Sequence, residues 1–495
     1  MASALIRLAR AGLGAIALAA LAAGVAEARG ATIGMQLEPP VLDPTAGAAA
    51  AIDEIVYSNI FEGLVKFAED GSIVPGLAES WEISDFGLVY TFKLRSGVKF
   101  HDGTDFDAED VKFSLDRISA EGSQNAQKAL YASILETAVI DPMTVRITLS
   151  QPTGAFLFYL AWGDAVIVAP ESAATNAETP VGTGPFKFAN WAKGDSVEIV
   201  RNDEYWGAKA KLDGAVFKFI SDPNAAFAAV MAEDIDAFPG FPAPEILDQL
   251  AADPRFLVVV GSSEGETILS TNNKAGPLAD VRVRAAIAHA IDRKALIDGA
   301  MYGYGAPIGT HFAPHHPDYV DLTLQSAYDP EFSKKLLAEA GYEGGLTLRL
   351  KLPPPSYARR GGEIVASQLR AVGIETEISN LEWAAWLEEV FKKKDYDLTI
   401  VSHTEPFDIG IYARPDYYFN YDSAEFQTTF AMLERTSDPA ERSSLVKALE
   451  RIIADDYVNG YLFQLARTSV QNASLKGLWK HSPTQANDLT KAYWE

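Results

Sequence analysis

Residues 77–118, LAESWEISDFGLVYTFKLRSGVKFHDGTDFDAEDVKFSLDRI, read as a strand pair, a polar turn and the start of a helix. Val89, Thr91 and Lys93 alternate with Tyr90, Phe92 and Leu94, the period of a strand with one buried face. Gly97, Asp102 and Gly103 supply turn chemistry around a second short strand, Val98 to His101. Asp107 is placed to cap a helix, with Glu109 and Asp110 in the first turn against the helix dipole. Val111, Leu115 and Ile118 then recur at helical spacing. The stretch predicts a small α/β unit.

Upstream of it, residues 31–45 open with a strand and end in Leu42-Asp43-Pro44, an extended-to-turn signal. Residues 51–66 place Ile52, Ile55, Val56, Ile60 and Leu64 at helical spacing. Downstream, 134–150 predicts strands around Asp141-Pro142, and 153–169 predicts a helix before a strand. Gly182-Thr183-Gly184-Pro185-Phe186 reads as a structural turn; the strand Ser196 to Arg201 and Asn202-Asp203-Glu204-Tyr205-Trp206-Gly207 follow. From residue 266 onward, strands alternate with helices. Strands are expected at Thr267–Thr271, Leu346–Leu352, Ile374–Ser379, Tyr396–Val401 and Tyr461–Ser469. Between them lie helices opening at Asp280 and at Asp329-Pro330-Glu331, then Glu363–Val372, Glu382–Phe391 and 438–455. That alternation means α/β packing on mixed or parallel sheets.

The wording of several of these stretches resembles one family, the extracytoplasmic solute-binding proteins of the peptide/nickel type (family 5). Residues 77–118 are similar to its signature region. The GTGP turn, the NDEYWG ending, and the segments VRVRAAIAHAIDRKALI, YDPEFSKKLLAEAGY and QLRAVGIETEISNLEWAAW match it in order along the chain. The resemblance implies a two-lobed periplasmic binding protein of the type II, three-subdomain form, with mixed sheets and a hinge between lobes. Lobe I is then 29–265, with a smaller subdomain at about 76–190. Lobe II is 266–465, residues 466–495 return to lobe I, and the hinges fall near 266–271 and 464–469.

The chain has 495 residues, 48% hydrophobic and 22% charged, enough for more than one large core. A net charge of −25 with no basic block argues against nucleic acid as a partner. No cysteine is present, which excludes disulfides, thiol nucleophiles and Cys-based zinc sites. Residues 1–28 read as a signal peptide: Arg7 and Arg10, an apolar run over 11–25, and Ala26-Glu27-Ala28 as an A-x-A cleavage site. Its removal takes away two Arg and one Glu, so −25 becomes −26. With no Cys to accept lipid after cleavage, a freely soluble periplasmic protein rather than a lipoprotein is expected.

Two motifs invite other chemistry. Gly261-Ser262-Ser263-Glu264-Gly265 matches the G-x-S-x-G elbow of serine hydrolases, which requires strand, sharp turn and helix; strands on both sides argue against it. His311, His315 and His316 sit among prolines, a loop rather than a metal site. The expected cleft residues are aromatic and polar. Trp383 and Trp386 share a helix and by spacing alone read as core. In the resemblance, Trp383 takes the position that related peptide binders turn to the ligand. Residues 402–419 are dense in polar and aromatic groups, among them His403, Glu405, Asp408 and Tyr412. They sit at the carboxyl end of a strand, where open α/β sheets receive ligands. Peptide binders of the family carry an Asp there for the ligand amine. A register anchored on Tyr396-Asp397 puts Pro406 at that place, between Glu405 and Asp408, either of which can substitute. Tyr357, Arg359 and Arg360 follow three prolines where dipeptide binders place an Arg near the ligand carboxylate, and Glu38 matches a contact position of the first lobe.

The expectation is therefore a non-enzymatic, monomeric, cofactor-free protein. It closes two lobes over a small ligand and delivers it to the permease subunits of an ABC importer. A di- or oligopeptide is the default ligand; oligosaccharide, opine-like and metal-chelate ligands are the alternatives. A secreted hydrolase using Ser263 and a purely chaperone-like role are the readings from other classes.

Overall fold

A computed structural model describes residues 29–47, 49–404, 407–436 and 438–495. The expected signal peptide, 1–28, lies outside the described residues. No helix among them is long and apolar enough to cross a membrane.

Residues 77–118 fold largely as their pattern dictates. Strands Ala78–Ser84 and Val89–Leu94 pair antiparallel and extend through Thr144–Leu149 to Ile134–Asp141. Tyr90, Phe92 and Leu94 are buried, and they share one core with Val111, Leu115 and Ile118 of the helix Ala108–Ser119. Asp107 caps that helix: its carboxylate accepts from Glu109 N–H, while the Asp110 carboxylate accepts from Asp107 N–H, a reciprocal capping box. Val98–His101 is not a full strand. Only a Lys99–Asp105 bridge forms, because Gly97 and Gly103 take φ of 73° and 94° and fold the segment into a tight loop. His101 docks instead on the glycine turn, at 2.9 Å from the Gly184 carbonyl.

The 51–66 helix is shorter than its periodicity predicts and spans Ala50–Val56. Tyr57 turns to extended backbone and Ser58 to φ 58°. The Asn59 side chain then donates to Ile55 and Asn487 carbonyls and accepts from Leu489 N–H. Ile60 and Leu64 stay buried outside the helix; tertiary packing overrides the period. Likewise, 153–169 gives a helix Phe156–Ala161 and a 3-10 turn Gly163–Ala165, with no strand after it.

The GTGP and NDEYWG motifs meet at Glu62, which is buried and accepts from Thr183 Oγ1 (2.9 Å), Tyr205 OH (2.8 Å) and Trp206 Nε1 (2.8 Å). A Cβ on Gly182 would run into the Ile60 carbonyl, and one on Gly184 into that of Asn59. The turn is structural, as its composition indicates.

The main sheet runs Ile374–Asn380, Leu346–Leu352, Leu398–His403, Phe256–Thr271, Asn459–Asn472, Ala237–Phe238, Ala31–Met35, Gly214–Phe219, Ser196–Arg201, Phe186–Ala192. Phe256–Thr271 and Asn459–Asn472 are long and antiparallel, and they span both halves of it. One half of the pair leads toward Ala31–Met35 and the other toward Leu398–His403. Between the halves the register breaks: Ser262 faces Ala466, yet Glu266 faces Gln464. Four residues advance on one strand against two on the other, a bulge that bends the pair.

Candidate functional site

The two halves meet across a cleft beside this bulge. Phe158, on the helix after the four-stranded sheet, stacks on Phe407 at 5.0 Å and 14°. Phe407 also packs on Phe312 and His316. At the bulge itself the Glu264 carboxylate meets His315 Nε2 at 2.5 Å.

Three cavities lie between residues of the two halves. The largest, about 570 Å³, lies between Trp81, Phe86, Tyr90 and Phe158 on one side and Phe407, Arg442 and Val446 on the other. A smaller one of about 90 Å³ adjoins it beside Phe67, Phe158, Glu264, His315 and Phe407. The third, about 140 Å³, is polar and bounded by Asp53, Gln127, Trp162, Asp164, Thr404, Thr484 and Gln485. Asp53 Oδ1, Asp164 Oδ1 and Trp162 Nε1 are buried with no hydrogen-bond partner. Burial, then the neighbouring Asp164 and Glu54 charges, raises the Asp53 carboxyl well above its usual range. Burial pushes Asp164 up to about 7.

The expected site residues divide into groups. His403, Asp408 and Tyr412 come together, but with one another and below the surface. Asp408 Oδ1 lies 2.5 Å from His311 Nε2 and Oδ2 lies 3.4 Å from His403 Nδ1. Tyr412 is in the core, its hydroxyl near His311 Nδ1 (3.4 Å) and accepting from Asn459 (3.3 Å). Burial alone would raise the Asp408 carboxyl; the two imidazoles outweigh it and hold the carboxyl below its usual range. Glu405 lies outside the described residues.

Trp386 is buried and donates to Thr399 Oγ1, while Trp383, packed edge-on against it at 5.4 Å, stays 42% exposed and open to contact. Tyr357 OH accepts from Ser402 N–H at the end of Leu398–His403. Arg359 is tied to Glu382 (3.0 Å) and the Leu381 carbonyl, and Arg360 lies over the Tyr302 ring. Glu38 is exposed on the other half, accepting from Trp191 Nε1 and Gly194 N–H, where it ties down a hairpin.

The hydrolase motif forms no elbow. Residues 261–265 lie within Phe256–Thr271, and Ser263 Oγ donates to the Leu465 carbonyl at 2.6 Å. The three loop histidines have separate partners: His311 with Asp408, His315 with Glu264, and His316 stacked on Phe312 at 4.1 Å. Among the described residues no cluster of three or more His, Asp or Glu is arranged to hold a metal ion.

Asp53, Trp162, Asp164, Thr484 and Gln485 were not anticipated. The visible signals were an acidic Asp53-Glu54 pair interrupting an apolar helix, and Trp162-Gly163-Asp164 closing an apolar run.

Comparison with known proteins agrees with this architecture. A sequence model described as "Bacterial extracellular solute-binding proteins, family 5 Middle" matches residues 72–429. The glutathione-binding protein GsiB of Escherichia coli (strain K12) is 30% identical over 491 residues, covering 94% of each chain. Among solved structures, the periplasmic binding protein DppA from Helicobacter pylori in complex with peptide STSA superposes with a TM-score of 0.80 at 26% identity, over 94% of this chain and 98% of that one. AgaA from A. tumefaciens R10, in complex with agropinic acid, gives 0.78 at 27% identity over the same shares.

Proposed function

The chain belongs to the bacterial extracellular solute-binding proteins of family 5, and from that premise we propose that it captures a di- or oligopeptide in the cleft and hands it to the permease subunits of an ABC importer. The substrate-binding role is that of its relatives. The peptide reading is supported by the peptide bound to DppA and by the name of GsiB, a glutathione-binding protein.

The observation that carries the mechanism is the pair Phe256–Thr271 and Asn459–Asn472, which passes between the halves with a register break at 262–266. Two bulged strands bend more readily than a regular ladder. Lobe I is residues 29–265 with the return segment 466–495, and lobe II is 266–465. Closing them brings Phe407 onto Phe158 and covers the cavities. The ligand needs no covalent step: it stabilises the closed form, and the closed form docks on the permease. Trp383, exposed on its helix, offers a lobe II contact, while the Tyr357 hydroxyl is engaged by Ser402 N–H and the Asp408 carboxylate by imidazoles. The protein works as a periplasmic monomer, exported by a cleaved signal peptide.

Native mass spectrometry of protein purified from its own periplasm identifies the ligand it carries. A thermal-shift series with peptides, oligosaccharides, opines and nickel chelates ranks the classes, since a specific ligand raises apparent stability by mass action. A shift with a sugar or an opine and none with any peptide overturns the peptide reading. An opine-like ligand is the second reading, favoured by the likeness to AgaA.

A further inference from the structure

The turn that follows strand Thr144–Leu149 reaches across from the first half of the molecule to the second. Ala155 in this turn is fully buried, and it shares an apolar cluster with Leu433 and Val446 of the other half. Gly154, beside it, meets the same surface. A Cβ at Gly154 would lie 2.8 Å from the Leu433 carbonyl oxygen, where ordinary contact begins at 3.4 Å, and would run into the Arg442 guanidinium. Neither neighbour gives way easily. The carbonyl is backbone, in the last turn of the helix Ala424–Arg435. Arg442 is pinned by donating to the Leu433 carbonyl at 3.0 Å and to the Thr436 carbonyl at 3.2 Å, where a cation also offsets the negative end of the helix. The loop makes no such demand on its own account, because φ at Gly154 lies outside the left-handed region. Glycine is required here by the other half.

We infer that Gly154 determines how closely the two halves approach: the carboxyl end of the helix Ala424–Arg435 seats in the space where a side chain would stand. Gly154 and Arg442 both line the 570 Å³ cavity. The depth of seating therefore also sets the width of that cavity, and with it the size of the ligand group it encloses. A side chain at 154 holds the Leu433 end of the seam apart, and through it the nearby stack of Phe158 on Phe407. Overpacking of this kind penalises the tight arrangement alone. With the halves apart, alanine suits the backbone at 154 and restricts the unfolded chain, which favours the fold. The cost of a substitution thus falls on closure.

This inference rests on the reading of two lobes that close, and not on the peptide reading. The chain has no cysteine, so a pair introduced at Phe86 and Arg435 gives one defined crosslink. Both residues are exposed, and they line the same cavity from opposite halves. The test is the rate at which an equimolar bifunctional maleimide joins Phe86→Cys to Arg435→Cys in the full chain, with Gly154 kept and with Gly154→Ala or Gly154→Val added. Alanine should slow crosslinking about tenfold and valine more, the scale of a modest overpacking. Labelling of each cysteine by N-ethylmaleimide, which depends on exposure and not on closure, should be unchanged, as should circular dichroism. Equal crosslinking with and without the substitutions overturns the inference and leaves the closing of the lobes standing. No crosslinking in any of the proteins overturns the closing of the lobes and the inference with it. A loss of helical dichroism with alanine shows that the loop itself needs glycine, and also overturns the inference.

Discussion

Asp408 and the Asp53–Asp164 pair are buried acids on opposite halves of one cleft, and their surroundings are opposite in kind. Asp408 has an imidazole on each oxygen, from His311 and His403, and its carboxyl is held below its usual range. Asp53 and Asp164 have each other for a neighbour, an unpartnered oxygen apiece, and raised titration. An acid that is already neutralised stabilises the fold and has little left for a ligand. An acid left without a counter-charge destabilises the fold. Chemical type alone cannot separate the two, but the partners can.

The largest expected effect tests the first half of this contrast. Asp408→Asn strands two buried imidazoles and should lower unfolding stability by about 3 to 5 kcal/mol, read by urea denaturation followed through tryptophan fluorescence. A loss below 1 kcal/mol would mean the triad is not a structural ion cluster. Since its folded titration is depressed, Asp408 contributes stability above the unfolded carboxyl range near pH 4, and that contribution is lost as pH falls below it.

Asp164 has the opposite sign. Its folded value of about 7 exceeds the unfolded one, so the native state binds the extra proton and stability falls as pH rises from about 4 to 7. Between pH 5 and 8 the unliganded wild type should therefore lose about 2 kcal/mol more than Asp164→Asn does, measured by denaturation at each pH. Parallel pH profiles for the two proteins would show that the carboxyl is solvated after all.

A smaller effect calibrates the contrast with an acid satisfied by neutral donors. Thr183→Val removes one of the three bonds to Glu62 and should cost about 1 to 2 kcal/mol, with ligand affinity unchanged. The smallest is at Glu38, which accepts from Trp191 and Gly194 on an exposed hairpin. Glu38→Ala should leave ligand affinity unchanged, and a measurable loss of binding would restore Glu38 to the cleft.

Residues 77–118 were legible because their fold is set locally. Tyr90, Phe92 and Leu94 alternate, Asp107 and Asp110 cap, and the sheet and helix face one another across a core that Phe67, Phe156 and Leu160 join. The helix at Ala50–Val56 is shorter than its period because Tyr57 and Ser58 leave helical backbone and Asn59 is held by Asn487 and Leu489, far along the chain. The site failed to read for the same reason. Asp53, Asp164 and Thr484 come from three distant segments, and none stands in a motif. Asp408, adjacent to a family position, drew attention that its partner His311 redirects, and no local pattern places His311 beside it.

The path of the last long strand has a consequence for the time course of synthesis. Ile33 pairs with Ala237, and Ala237 and Phe238 pair in turn with Gln471 and Val470. The sheet begun by the first strand thus stays unfinished until nearly the whole chain has been made. Pairings between distant segments also form slowly. A polypeptide emerging from the ribosome therefore keeps an open edge and an incomplete core for most of its translation. It becomes a rigid object only once its far end arrives.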